Sequence, residues 1–277
     1  MILNKFYVDD VIKNAIKEDI NYIDISAAYT IPEEQVGSAY FVAKADGILC
    51  GIDVAMRVFQ LLDDDFHYAL YKKDGDEIKK GDRIADISGR MMHLLEGERT
   101  ALNLLQMMSG VATATNECVK AVAGTSCSIA ETRKTQPGLR ALQKYAVTCG
   151  GGKNHRYNLS DCVMLKDNHI DACGGIIPAV NRVREKLGHT VKIEVETRDF
   201  NEVKLAVEAG ADIIMLDNMT TDEMRQAVAF INGRAATEAS GNITKDNIRQ
   251  VAECGVDIIS IGALTHSVKA MDISMKL

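Results

Sequence analysis

A run of cations marks the middle of the chain. Between residues 131 and 170 stand seven lysines and arginines (133, 134, 140, 144, 153, 156 and 166) against three acids (131, 161 and 167), a local charge of +4 in a chain of formal charge −7. A cationic mouth on an acidic protein suits a small polyanionic ligand, which the local field steers to one place. Arg133 and Arg156 suit planar anions, because a guanidinium forks onto a carboxylate or phosphate. Ordinary ion pairing is the plainer alternative for either one alone.

Two acids complement these cations. Glu196 and Asp217 close short apolar runs about one structural unit apart, and two hard oxygen donors near a phosphate site suit Mg²⁺. The competing reading pairs them with Lys134 or Lys166. Further on, Ser240-Gly241-Asn242 and Ser260-Ile261-Gly262 are small-residue loops whose N–H groups could seat a phosphate at a helix start. The segment GGGKNHR (150–156) lacks the spacing of a nucleotide-binding P-loop. Its glycines would let backbone approach a ligand, with His155 and Arg156 supplying donors. His169, beside Asp167 and Asn168, reads as a supporting group. A zinc site drawn from Cys149, His155, Cys162 or Cys173 lacks a recognised spacing.

The elements that must position these residues follow a rhythm. Strand-like runs at 127–134, 161–168, 191–196, 211–218, 235–242 and 256–263 alternate with helical stretches, the last three being 200–210, 220–233 and 242–255. Such alternation predicts parallel β/α units, and its repetition favours a barrel whose working residues sit at the carboxyl ends of the strands. The first hundred residues predict an α+β module instead, with a pair of short strands around Lys79, Lys80 and Gly81. A helix over 96–115 buries Ala101, Leu104, Leu105, Met108 and Ala112 and turns Arg99 away from that stripe. The alternation Met271, Ile273, Met275, Leu277 predicts a last strand that returns to the first module. The expected architecture is therefore α/β, with a first domain over 1–110, a barrel over 111–266, and 267–277 rejoining the first domain.

The chain has 277 residues, 47% hydrophobic and 26% charged, enough for one large or two modest domains. Its acidity argues against nucleic acid or an anionic membrane as partner. The first residues meet charge too soon for a signal peptide, and no stretch reads as a membrane span. Seven cysteines without a CxxC pair read as free thiols of a cytoplasmic protein.

The series TRKT (132–135), PGLR (137–140), KYAV (144–147), CGGG (149–152), NHR (154–156) and KDNH (166–169) is distinctive. With GERTALN (97–103) before it and EVE, LDN, EASGNIT and SIGALTHS after it, nearly the whole chain resembles the quinolinate phosphoribosyltransferase family, type II phosphoribosyltransferases. The resemblance implies an α/β sandwich followed by an incomplete barrel of about seven strands, in a homodimer or a larger homo-oligomer. It implies transfer of phosphoribose from phosphoribosyl pyrophosphate to quinolinate, with decarboxylation, in NAD biosynthesis. By motif, Arg133, His155 and Arg156 would grip the quinolinate carboxylates, with Thr132 in the same binding element. Arg99 would reach in from the partner subunit. Lys134 and Lys166 would face phosphate and pyridine dicarboxylate, Glu196 and Asp217 would hold Mg²⁺ and the ribose side, and residues 240–242 and 260–262 would seat the 5′-phosphate.

Segment 17–28 departs from the family's usual acidic-glycine and threonine run, which bears on local packing and dimer detail. The related nicotinate and molybdenum-transport members share a TRKT-type element but less of the later series. A Schiff-base lyase built on Lys166 leaves the two carboxylates without a task. A carrier domain built on residues 74–89 lacks the expected lysine hairpin.

Overall fold

The computed structural model describes residues 3–277, which divide into two compact units. The first gathers the described residues up to Asn116 with Thr135–Gly151 and Leu264–Leu277; the second comprises Glu117–Lys134 and Gly152–Ala263.

In the first unit, α1 (Lys5–Asp19) starts where the Asn4 side chain accepts the Phe6 N–H, and α2 (Ile25–Thr30) where Asp24 accepts the Ala27 N–H. These caps satisfy donors that a helix start otherwise leaves unpaired. There follow β1 (Val36–Ala43), β2 (Gly47–Ile48), α3 (Ile52–Leu62), β3 (His67–Leu70), β4 (Glu77–Ile78), β5 (Arg83–Arg90) and α4 (Met91–Ala121). One antiparallel sheet takes the chain's last strand, Ile273–Lys276, beside β1, then β5, then β3. Phe41 opposes Met275 and Ala43 opposes Ile273, so Met271, Ile273 and Met275 are buried while Leu277 is exposed. The two strands read around Gly81 do not pair with each other. Strand β4 pairs with β2, and β5 is already flanked by β1 and β3.

Helix α4 is longer than its apolar stripe predicts, because its polar residues are satisfied within it. The Thr113 and Thr115 hydroxyls donate to the carbonyls of Ser109 and Val111, at 2.7 and 2.8 Å. Helix α5 (Arg140–Cys149) corrects the sequence reading, which ran the barrel unbroken from 111 to 266. Its apolar face, Leu142, Ala146 and Val147, belongs to the core formed by Phe41, Phe59, Leu105 and Met108 of the first unit. The glycine that follows is required by packing. A Cβ on Gly150 would stand 2.4 Å from the Ala112 carbonyl oxygen on α4.

The second unit holds β6 (Ser128–Ala130), β7 (Val163–Leu165), α6 (Asp167–Cys173), α7 (Ile176–Arg184), β8 (Ile193–Thr197), α8 (Phe200–Glu208), β9 (Ile213–Asp217), α9 (Thr221–Ile231), β10 (Ala236–Ser240), α10 (Ile248–Ala252) and β11 (Ile258–Ser260). Helix α11 (Ala263–His266) follows, and the last strand is β12 (Ile273–Lys276). Six strands, one in each expected run, form a parallel sheet in the order β6-β11-β10-β9-β8-β7. The sheet does not close, and a single parallel bridge from Ala130 to Lys153 marks a seventh position beside β6. Ile193, Val195, Ile214, Leu216, Ala239 and Ile259 are buried, as are the helical residues Ala179, Val203, Ala206, Met224 and Ala227. Burial of that apolar surface contributes about 25 cal/mol per Å², the main term holding such a layer together. Among the described residues no helix is long and apolar enough to cross a membrane.

Candidate active site

The register of the parallel sheet sorts its residues into rows. Glu196 opposes Met215, which opposes Glu238; one row toward the carboxyl ends, Asp217 opposes Ser240, and Ser260 opposes Ala130. Side chains alternate along a strand, so Glu194, Glu196, Asp217, Glu238, Ser240 and Ser260 share one face, opposite the apolar residues Val195, Leu216 and Ala239. The fold thus delivers a polar lining whose upper rows lie at the strands' carboxyl edge.

Lys166 leaves β7 at the start of α6, and its Nζ donates to Glu196 Oε2 at 2.5 Å. Glu196 is therefore paired with one of the two lysines considered from sequence. His169 Nδ1 accepts the Lys166 N–H at 3.1 Å, which fixes the backbone from which that lysine projects.

Asp217 ends β9, and its Oδ2 accepts from the Asn218 side-chain amide at 2.7 Å. Asn218 Oδ1 in turn accepts from Asn242 at 2.9 Å, so the loops after β9 and β10 are stitched together. Gly241 makes this possible. It has φ +89°, and a Cβ there would lie 2.2 Å from Asn218 Oδ1. Residues 240–242 are separated from α10 by five residues, so they do not themselves open a helix as the sequence reading supposed. Ser260, Ile261 and Gly262 do lead directly into α11, and the Ile261 N–H donates to the Ala130 carbonyl at 2.9 Å.

Thr132, Arg133 and Lys134 lie beyond the end of β6, in the loop and not on the strand as the run 127–134 suggested. The Thr132 hydroxyl accepts the Lys134 N–H at 3.0 Å, a local turn that sets the direction of the two cations. Arg156 donates to the Cys162 carbonyl at 2.9 Å, tying its loop to the residue before β7. Arg99 belongs to the first unit, exposed on α4 with Glu98 4.0 Å away.

His155 is nearly buried, with Nε2 3.4 Å from Glu194 and 3.3 Å from Glu238. Its Nδ1 accepts the Arg156 N–H at 2.7 Å, and its own N–H donates to Glu131 at 3.1 Å. Burial alone would lower the imidazole pKa, but the Glu194 and Glu238 carboxylates beside it push it up to about 10. The second proton belongs on Nδ1, where it competes with the Arg156 N–H. Burial also raises the Glu194 carboxyl. The cluster therefore retains protons, as a pocket with more acids than bases must. Sequence reasoning singled out none of Glu131, Glu194 and Glu238. Glu194 and Glu238 lie mid-strand in IEVET and ATEAS, and Glu131 lies just past the end of β6, positions that carry no distinctive spacing.

Comparison with known proteins identifies the family of the chain. Residues 24–109 match the model of the quinolinate phosphoribosyl transferase N-terminal domain, and residues 111–276 that of its C-terminal domain. The chain is 44% identical over 273 residues to a probable nicotinate-nucleotide pyrophosphorylase [carboxylating] of Bacillus subtilis, covering 99% of this chain and 94% of the relative. It is 44% identical over 286 residues to the chloroplastic nicotinate-nucleotide pyrophosphorylase [carboxylating] of Arabidopsis thaliana, covering 96% and 82%. The crystal structure of NadC from Streptococcus pyogenes superposes with a TM-score of 0.97 at 40% identity, covering 100% and 98%. With both domain models matched and nearly its whole length covered, the chain belongs to the quinolinate phosphoribosyltransferase family.

Proposed function

We propose that the protein transfers phosphoribose from phosphoribosyl pyrophosphate to quinolinate, releasing pyrophosphate and CO₂ and forming nicotinate mononucleotide. The observation that carries this reading is one edge of one parallel sheet. There the Lys166–Glu196 pair, Asp217 and the 240–242 and 260–262 loops stand together, in a chain of this family. Arg133, in the loop that Thr132 shapes, and Arg156, in the loop before β7, bind the two carboxylates of quinolinate. His155 adds positive charge beside Arg156. Lys134 and Lys166 attract phosphate and pyridine dicarboxylate, and the small loops receive the 5′-phosphate through backbone N–H groups.

Glu196 and Asp217 fit a hard divalent cation by donor type and by sharing a face on adjacent strands, one row apart. When bound, Mg²⁺ would neutralise charge on the departing pyrophosphate. The carboxylates also hold the ribose hydroxyl side, and the Asn218 amide fixes Asp217 for that task. With the substrates so oriented, the quinolinate ring nitrogen attacks ribose C1 as the bond to pyrophosphate breaks, and fixed positive charge stabilises that separation. As the C2–carboxylate bond breaks and CO₂ leaves, the positive charge on the quaternised nitrogen stabilises the electron pair left on C2, which then takes up a proton from solvent.

Arg99 is read as a donor supplied across a homodimer. Exposed apolar residues Tyr22, Ile25 and Tyr29, 93%, 63% and 77% accessible, support burial of the first unit against a second copy. Purified protein with Mg²⁺, phosphoribosyl pyrophosphate and quinolinate should yield nicotinate mononucleotide and CO₂ in equal amounts. No product under these conditions would overturn the reading.

A further inference from the structure

Two of the seven cysteines meet inside the first unit, away from the residues assigned above. Cys50 is fully buried just before α3, and Cys149 is the half-buried last residue of α5. Their sulfurs and an Asp74 carboxylate oxygen all lie within 4.8 Å of one another. The surroundings hold both backbones still. The Cys50 N–H donates to Ser109 Oγ, which donates back to the Cys50 carbonyl, at 3.0 and 3.1 Å. On the other side, Gly150 packs against α4 and its carbonyl accepts from the Asn116 amide at 3.3 Å.

The polar neighbours make the two thiols unequal. Asp74 accepts from the Gly51 and Ile52 N–H groups and from the Tyr145 hydroxyl, which also lies against Cys149. A hydrogen bond from Cys50 draws Cys149 below the ordinary thiol range, although burial opposes it. Burial raises Cys50 well above that range. Burial likewise raises Cys118, Cys127, Cys162 and Cys254, with Cys127 at about 12. A partly exposed thiol of lowered pKa next to a second, buried thiol is the arrangement of an attacking and a resolving cysteine.

We propose that Cys149 and Cys50 form a peroxide-reactive dithiol that closes reversibly to an intramolecular disulfide. The Cys149 thiolate attacks hydrogen peroxide. The S–O bond forms, the O–O bond breaks, and hydroxide leaves to take up a proton as water. The Cys50 sulfur then attacks Cys149 Sγ: the S–S bond forms, the S–O bond breaks, and the second water leaves with the Cys50 proton. Two thiols lose two electrons and one peroxide becomes two waters. A dithiol such as dithiothreitol restores both thiols by exchange. The disulfide ties the carboxyl end of α5 to the segment entering α3 and keeps Cys149 from irreversible oxidation. The inference is independent of the proposed transferase chemistry.

The test is oxidation of the whole protein with a small excess of hydrogen peroxide, followed by alkylation and non-reducing peptide mapping. The expected result is a cross-linked peptide joining Cys50 to Cys149 and a thiol titre that falls by two from seven, restored by dithiothreitol. In Cys50→Ser, dimedone should trap a sulfenic acid at Cys149. A bridge between other cysteines, or oxidation of Cys127, Cys162 or Cys173 before Cys149, would overturn the proposal. Should Cys50→Ser fold poorly, the unmodified protein still decides. Iodoacetamide should label Cys149 at least about tenfold faster than Cys127, and equal or slower labelling would refute the assignment.

Discussion

Gly241→Ala should damage both the stability and the activity of this protein. At φ +89° an alanine costs about 1–2 kcal/mol of backbone strain. Its Cβ, 2.2 Å from Asn218 Oδ1, forces that side chain aside. Two hydrogen bonds then go, the 2.7 Å one to Asp217 and the 2.9 Å one from Asn242, each worth about 0.5–1.5 kcal/mol net. The sum is about 2–5 kcal/mol, a fall in Tm of roughly 5–15 °C for a chain of this size. Asp217 also loses the amide that orients it, and loss of such a supporting group lowers activity by about 10–100-fold. The assays are thermal unfolding and steady-state turnover of quinolinate with phosphoribosyl pyrophosphate. The single variant Asn218→Gly loses the same two hydrogen bonds without the strain at residue 241, so it should keep about 1–2 kcal/mol more stability than Gly241→Ala while turning over no faster than it. A Gly241→Ala protein with unchanged Tm and turnover within about twofold of the parent would refute the reasoning.

Removing the imidazole in His155→Ala leaves Glu194 and Glu238 facing each other in a buried space. The expected cost is about 3–5 kcal/mol, read as a lowered urea midpoint, and adding Glu194→Gln and Glu238→Gln should restore part of it. Gly150→Ala should lower Tm by several degrees, because the obstructing atom is backbone on α4 and not a mobile side chain. Burial would raise the Asp63 carboxyl, but the Arg90 and Asp65 N–H groups hold it below the usual range. Its contribution is therefore present above the ordinary carboxylate pKa and is lost as pH falls through the lower folded value. Asp63→Asn should flatten the acid limb of a stability-against-pH curve.

The barrel strands were legible because each apolar run carries its own β/α rhythm, and all six formed where expected. The last strand was legible for the same reason, from the alternation of Met271, Ile273 and Met275. Helix α5 was assigned to the wrong unit, since an amphipathic face such as Leu142, Ala146 and Val147 does not say which core receives it. The strands flanking Gly81 looked like a hairpin because turn chemistry is local, whereas β4 and β5 choose partners distant in sequence. At the candidate site, Lys166, Glu196 and Asp217 were visible as polar ends of apolar runs. Glu194 and Glu238 were not, because a single acid inside a strand gives no sign that it faces an enclosed histidine. The Asn218–Asn242 link was equally hidden, since it depends on the register between β9 and β10.

The most direct measurement is kcat/KM for quinolinate and for nicotinate on the same preparation, with Mg²⁺ and phosphoribosyl pyrophosphate. A site built from several cations leaves some of them unpaired when the second carboxylate is missing. Nicotinate should therefore be used at least about a hundredfold less well than quinolinate. Equal use of the two substrates, or preference for nicotinate, would contradict the account.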